Sequence, residues 1–359
     1  MSLNTSPIIY IHYGPAHYLK WSLEAARRTN PEKQIVLLGD SSNRQFVGRG
    51  VQFVDFETLA GGEKEQEFQK VFQVIQGERH RFSKHGGIEA WLKFVFRRWF
   101  LIESFLEHEG GDAFWTFDSD TLILARLGTR ENRFSDAEAT TQCRGECLNG
   151  WIGSRALVSR YTRCMIELFQ DPAYLEAQRE RLRTHAGLAF NEMDAFAEFR
   201  LRESIKTWHG EAPVAGEIFD DALAFSKGFE TSPEKVLGKT TIKRLWTDGE
   251  AIFTRLKESG QFVRMLTCNM SWMPDYMWRR IAAATRGGGD GSRGTGAEGR
   301  ESRVEGGFRE ENLREISVRE PMGDRMLRQA KMALFKMRRA LHAGLATKRH
   351  ENAQEKKGS

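Results

Sequence analysis

The chain has 359 residues, 40% of them hydrophobic and 11% aromatic, and a formal net charge of +5. That supplies an ample core for one large α/β domain or two ordinary ones. Four cysteines, Cys143, Cys147, Cys164 and Cys268, are too few and too scattered for a disulfide framework, and no run of about 18 apolar residues exists to span a membrane.

The opening "MSLNTSPIIYIHYG" has no basic stretch and too short an apolar run for a signal peptide, so a reducing cytoplasm is the expected setting. Within it, "PIIYIHYG" predicts a buried strand broken at Gly14-Pro15, followed by a helix over His17 to Arg28. "KQIVLLGD" predicts a second strand ending at Asp40, and "GVQFVDF" a third. Strand, helix, strand at this spacing implies a parallel sheet with right-handed crossovers. Helices are expected over Glu63 to Gln76 and Ile88 to His108, the second rich in large apolar residues. It leads into "DAFWTFDSD", a strand carrying Asp118 and Asp120 at its carboxyl end. Further helices are expected over Ser154 to Phe169 and Glu192 to Arg202, and "GQFVRMLTC" is the clearest later strand.

Two carboxylates one residue apart repel each other unless a positive charge sits between them. A divalent cation, Mn²⁺ or Mg²⁺, is the natural occupant, since hard cations bridge carboxylate and phosphate oxygens. Open α/β sheets bind ligands at the carboxyl ends of their strands, so the ends near Tyr13, Asp40 and Asp118 are expected to share one crevice. Arg97 and Arg98 are candidates to reach a diphosphate, although on one helix only one of them can face it. Trp151 is a candidate platform for an acceptor sugar or a core tryptophan, and Asp221 either lines the cleft or caps a turn. His17 reads as a surface histidine at a helix start, with a phosphate contact as the alternative. Cys143 and Cys147 open a possible zinc pattern that no second close pair completes.

In the order "IIYIHYG", "IVLLGD", "RRWFLIESFL", "TFDSDTLIL" and "NEMDAFAEF", the chain from Pro7 to Met277 resembles the bacterial GT-A glycosyltransferases with an Asp-x-Asp motif. The resemblance implies a Rossmann-like α/β fold with a mostly parallel central sheet, and transfer of a sugar from a nucleoside diphosphate to a saccharide or lipid-linked acceptor, as in polysaccharide biosynthesis. It implies Asp120 as the main metal ligand and Asp118 on metal, ribose or sugar, with Ser119 between them among the donor contacts. Asp40 and the backbone after Ile11 would hold the nucleoside, and Asp194 would serve the acceptor as base or positioning group. One departure stands out: where such enzymes often supply a metal-ligating histidine, "VRMLTCNMSW" has none. A non-catalytic nucleotide-sugar-binding or membrane-docking protein with a degenerate metal site is therefore the first alternative. "FDSDTL" and "FDDAL" also resemble haloacid-dehalogenase-like phosphatases, the second alternative.

The expected organisation is one domain over residues 1–285, a disordered Gly-rich linker over 286–308, and a basic amphipathic helix and tail over 309–359. Much of the basic excess lies in that tail, and its helix over 322–350 suits an anionic membrane surface, such as the inner face of a cell membrane. No nucleic-acid recognition fold accompanies the charge.

Overall fold

The computed structural model describes residues 6–80, 87–285, 310–326 and 328–329. The expected linker and most of the expected basic helix lie outside them. In chain order, the first half contains β1 (Ile8–His12), α1 (Leu19–Thr29), β2 (Ile35–Gly39), β3 (Val51–Asp55), α2 (Glu63–Val71) and α3 (Ile88–Glu109). Then come β4 (Phe114–Thr116), β5 (Thr121–Ile123), β6 (Ala139–Gln142), β7 (Cys147–Ile152), α4 (Arg155–Gln170), α5 (Pro172–Thr184) and α6 (Glu192–Arg202). The remainder is β8 (Thr207–His209), β9 (Glu217–Phe219), β10 (Trp246–Thr247), β11 (Ile252–Arg255), β12 (Phe262–Asn269), α7 (Asp275–Ala284) and β13 (Arg314–Glu315).

The result is a mixed α/β fold. Seven strands form a central sheet in the order β3-β2-β1-β4-β7-β6-β8. Its β3-β2-β1-β4 half is parallel, whereas β7 runs antiparallel to both β4 and β6. β1 and β2 are buried at every position, as their unbroken apolar sequences require of strands covered on both faces. One face packs against α2 to α6 through Phe68, Phe96, Trp99, Phe105 and Tyr161; the other carries α1 with Trp115, Phe117 and Phe134.

A second, smaller sheet went unread in the sequence. Its order is β13-β10-β11-β12-β5, with β9 added parallel to β12. The segment from 309 was expected to belong to the tail, but its described residues supply β13, and Ile316 and Val318 are buried against this sheet. α7 covers it through Met277, Trp278 and Ile281.

The helices stop where their chemistry says. Gly110 ends α3 in the left-handed conformation. Ser154 caps α4 from the Leu157 N–H, and Asp171 with Pro172 starts α5, a helix the sequence reading did not assign. α2 ends at Val71, short of the expected Gln76, because Phe72 is extended and Ile75 and Gln76 pair instead with Phe190 and Ala189. The alternative pairing satisfies backbone groups that a longer helix would have satisfied internally. Among the described residues, no helix is long and apolar enough to cross a membrane.

Candidate active site

The chain leaves the central sheet at β4 and enters the second sheet at β5, and the four residues between are Phe117 to Asp120. Thr121 N–H donates to the Asp118 carbonyl at 2.9 Å, closing a tight turn. Ser119 faces inward: its hydroxyl lies 2.8 Å from His12 Nδ1, and its carbonyl accepts from Ser22 Oγ at 2.7 Å. With the middle residue anchored to β1 and α1, the two flanking carboxylates turn outward into a cleft of about 1180 Å³.

Strand direction explains what meets there. β1 and β4 are parallel, so the cleft takes Ile11, His12 and Tyr13 from the carboxyl end of β1. β7 is antiparallel to β4, so its amino-terminal residues Cys147 and Asn149 arrive at the same edge, beside Gln142 and Cys143 from the end of β6. β12 pairs antiparallel with β5, Asn269 opposite Thr121, which places the next residues against Asp120. Met270 N–H donates to the Asp120 carbonyl at 2.8 Å, and Ser271 Oγ donates to Asp120 Oδ2 at 2.7 Å.

The other oxygen of that carboxylate, Asp120 Oδ1, is buried with no hydrogen-bond partner among the described residues. Burial, with the Asp118 charge beside it, pushes the Asp120 carboxyl up to about 6. Asp118 is more open and accepts from Arg98 at 2.8 Å. Arg98 also donates to Glu192 at 3.0 Å, so one guanidinium bridges two acids. Burial raises the Glu192 carboxyl to about 7 even with Arg98 opposing it. Neither position-blind motif reading nor composition singled out Glu192 or Ser271.

Of the expected site residues, Ile11, Tyr13, Arg98, Asp118, Ser119, Asp120 and Asp221 line the cleft. Ser119 does so as an anchor, its hydroxyl already engaged. Asp221 accepts from Lys243 Nζ at 3.1 Å. Arg97 turns away to Glu57 and Glu65, so Arg98 is the one of the pair that faces in.

Three expected residues are not among the lining. Asp40 accepts hydrogen bonds from the Gly14 and Ser42 N–H groups; burial pushes its carboxyl up, but these bonds prevail and hold it below the usual range. It thus clamps the turn after β1 to the end of β2. Asp194 accepts from the Asn191 N–H at 3.2 Å and pairs with Arg181 at 2.9 Å, capping α6. Trp151 packs its ring 5.5 Å from Trp115. His17 is exposed, edge-on to Phe46.

Asp118 follows β4, the fourth strand, and Asp220 is wholly buried against Lys243. A phosphatase of the haloacid-dehalogenase kind would instead need its acidic partner free at the nucleophile. Among the described residues no three of His, Cys, Asp and Glu are grouped to hold a metal by themselves. The orphaned Asp120 oxygen and its open neighbour Asp118 nevertheless fit a hard cation that takes one or two carboxylates and fills its other positions with water and phosphate oxygens.

No family model and no curated protein matches the chain. Two solved structures similar to it are glycosyltransferases. One is described as PaToxG glycosyltransferase, 15% identical over 55% of this chain and 68% of that one, with a TM-score of 0.32. The other is mouse xyloside xylosyltransferase 1 in its apo form, 10% identical over 57% of this chain and 84% of that one, with a TM-score of 0.36. Both scores are low, and neither likeness assigns this chain an activity.

Proposed function

We propose that the cleft binds a nucleoside-diphosphate sugar and transfers the sugar to an acceptor hydroxyl, with Mn²⁺ or Mg²⁺ held by Asp120 and Asp118. The supporting observation is the Asp120 carboxylate, kept at the end of a parallel-sheet strand with one buried oxygen unpaired. Such a group costs stability unless a ligand completes it. Bound there, a cation would share diphosphate oxygens and offset the charge that builds on the leaving group.

The chain's own residues divide the remaining work. Ile11 and Tyr13 offer backbone and ring to the nucleoside at the end of β1. Arg98 holds Asp118 in place and is itself oriented by Glu192. In the transfer, the bond from the sugar's anomeric carbon to the diphosphate breaks and a bond to the acceptor oxygen forms. The acceptor proton passes to a base or to the departing phosphate. The acceptor is a saccharide or a lipid-linked saccharide.

Calorimetry of UDP and GDP against the full chain, with Mn²⁺, with Mg²⁺ and with EDTA, tests the reading. Binding at least tenfold tighter with a divalent cation than with EDTA is expected for one of the two nucleotides. Binding indifferent to the metal, or none, sinks it. Among the described residues no third carboxylate or histidine joins the pair as a ligand, which favours a second reading, a nucleotide-sugar binder without turnover. Release of nucleoside diphosphate from any sugar nucleotide, absent in Arg98→Ala, removes that alternative.

A further inference from the structure

The cleft has a second wall that the aspartate turn does not explain. Trp272 follows Ser271 directly, and it is 71% exposed. Its φ of 65° lies in the left-handed region, where a bulky residue is an outlier. Phe225, 47% exposed, places its ring 6.1 Å away, and both rings line the cleft. Packing accounts for neither, since Trp272 and Phe225 belong to no core cluster.

The fringe of this pair is charged. Lys227, Lys257 and Glu258 line the same cleft, are exposed, and have no side-chain hydrogen bond or ion pair among the described residues. Aromatic faces open to water, edged by free donors and acceptors of both signs, suit a sugar ring. Its C–H face covers the aromatic rings while its hydroxyls meet the charges. The nucleoside, in the transfer reading, goes instead to Tyr13, whose ring lies 5.5 Å from that of Phe94. Met270 and Ser271, bonded to Asp120, tie the Trp272 backbone to the reacting end of the cleft.

We propose that Trp272 and Phe225 form the acceptor platform, stacking the ring of a neutral saccharide whose hydroxyls are held by Lys227, Lys257 and Glu258. The assignment as an acceptor site rests on the transfer reading given above; the platform itself does not. Calorimetry of the full chain with UDP and Mn²⁺ present tests it, using gluco-, manno- and N-acetylglucosamine hexasaccharides as probes. At least one probe should bind the wild type. Trp272→Ala should weaken it tenfold or more, Trp272→Phe should recover most of the loss, and UDP affinity should change less than twofold. The platform is overturned if no probe binds, if Trp272→Ala binds the probe as the wild type does, or if it loses UDP to the same extent. Should UDP and GDP both fail to bind the wild type while a hexasaccharide still depends on Trp272, the transfer reading falls and the platform stands.

Discussion

Asp120→Asn is expected to abolish metal-dependent nucleotide binding, by at least a hundredfold, and at the same time to make the free protein more stable. The two effects share one cause. In the folded chain the Asp120 carboxyl is raised to about 6 from its ordinary 3.8, first by burial and then by Asp118. A raised carboxyl contributes nothing unfavourable below about pH 4, where both folded and unfolded chains hold the proton. Between about 4 and 6 the unfolded chain ionises first, so stability falls as pH rises, and above 6 the penalty is complete. Two pKa units correspond to about 3 kcal/mol, an upper bound on what the amide recovers.

Asparagine keeps the hydrogen bond from Ser271 and loses the charge. Thermal unfolding without metal should therefore show the variant about 5 °C more stable at pH 7.5 and equal to wild type at pH 4. With Mn²⁺ and a binding nucleotide the order should reverse, because only the wild type gains from ligation. A variant that is less stable at pH 7.5, or that binds nucleotide with metal as the wild type does, would show that the buried oxygen is completed in some other way.

How much of this was legible beforehand depended on whether the signal was local. β1 and β2 are apolar runs bounded by Gly, Pro or Asp, and their parallel pairing follows from α1 between them. The position of Asp118 and Asp120 at a strand's carboxyl end is likewise a statement about neighbours in sequence. Asp194 is the instructive case, since it was expected at the site and is not among the residues that line the cleft. It lies two residues from Glu192 on the first turn of α6, and motif resemblance favoured it. The local pattern Asn-x-x-Asp is a capping box, however, and it turns the Asp194 carboxylate back onto the Asn191 N–H. Glu192 is left to face Arg98, so reading "NEMD" as a cap points to the acid of the two that lines the cleft.

Ser271 and Trp272 were beyond such reasoning. Ser271 reaches Asp120, with Trp272 next to it in the chain, only because β12 pairs with β5 in one register, across about 150 residues of chain, and one residue of slip would swap the faces. The second sheet was hidden for a related reason: β9, β10 and β13 span two or three residues each, too short for any alternation to show.

Lys243→Met is expected to cost about 3–5 kcal/mol, a large fraction of the stability of an ordinary domain. Lys243 Nζ sits 2.5 Å from Asp220 and 3.1 Å from Asp221, and it also donates to the Ala222 carbonyl at 3.0 Å. The Lys243 and Asp220 side chains are 1% and 0% exposed. Burial works against both charges. It lowers the lysine, which Asp220 and Asp221 more than restore, and it raises Asp220 further than Lys243 brings it down. Removing the cation strands a carboxylate with no water to solvate it, and methionine fills the space without replacing the charge. Asp220→Asn in the same background should recover most of the loss, because the penalty belongs to the unpaired charge rather than to missing attraction. Urea unfolding of the two single variants and the double measures that coupling, and additive losses would refute it. The pair also reaches the cleft, since Asp220 accepts from the Asn269 N–H at 3.0 Å and Lys243 holds Asp221. The double variant should therefore fold nearly as well as the wild type yet bind ligand less tightly: the amide oxygen at position 220 still accepts from Asn269, but the lysine that sets Asp221 at the cleft wall is gone.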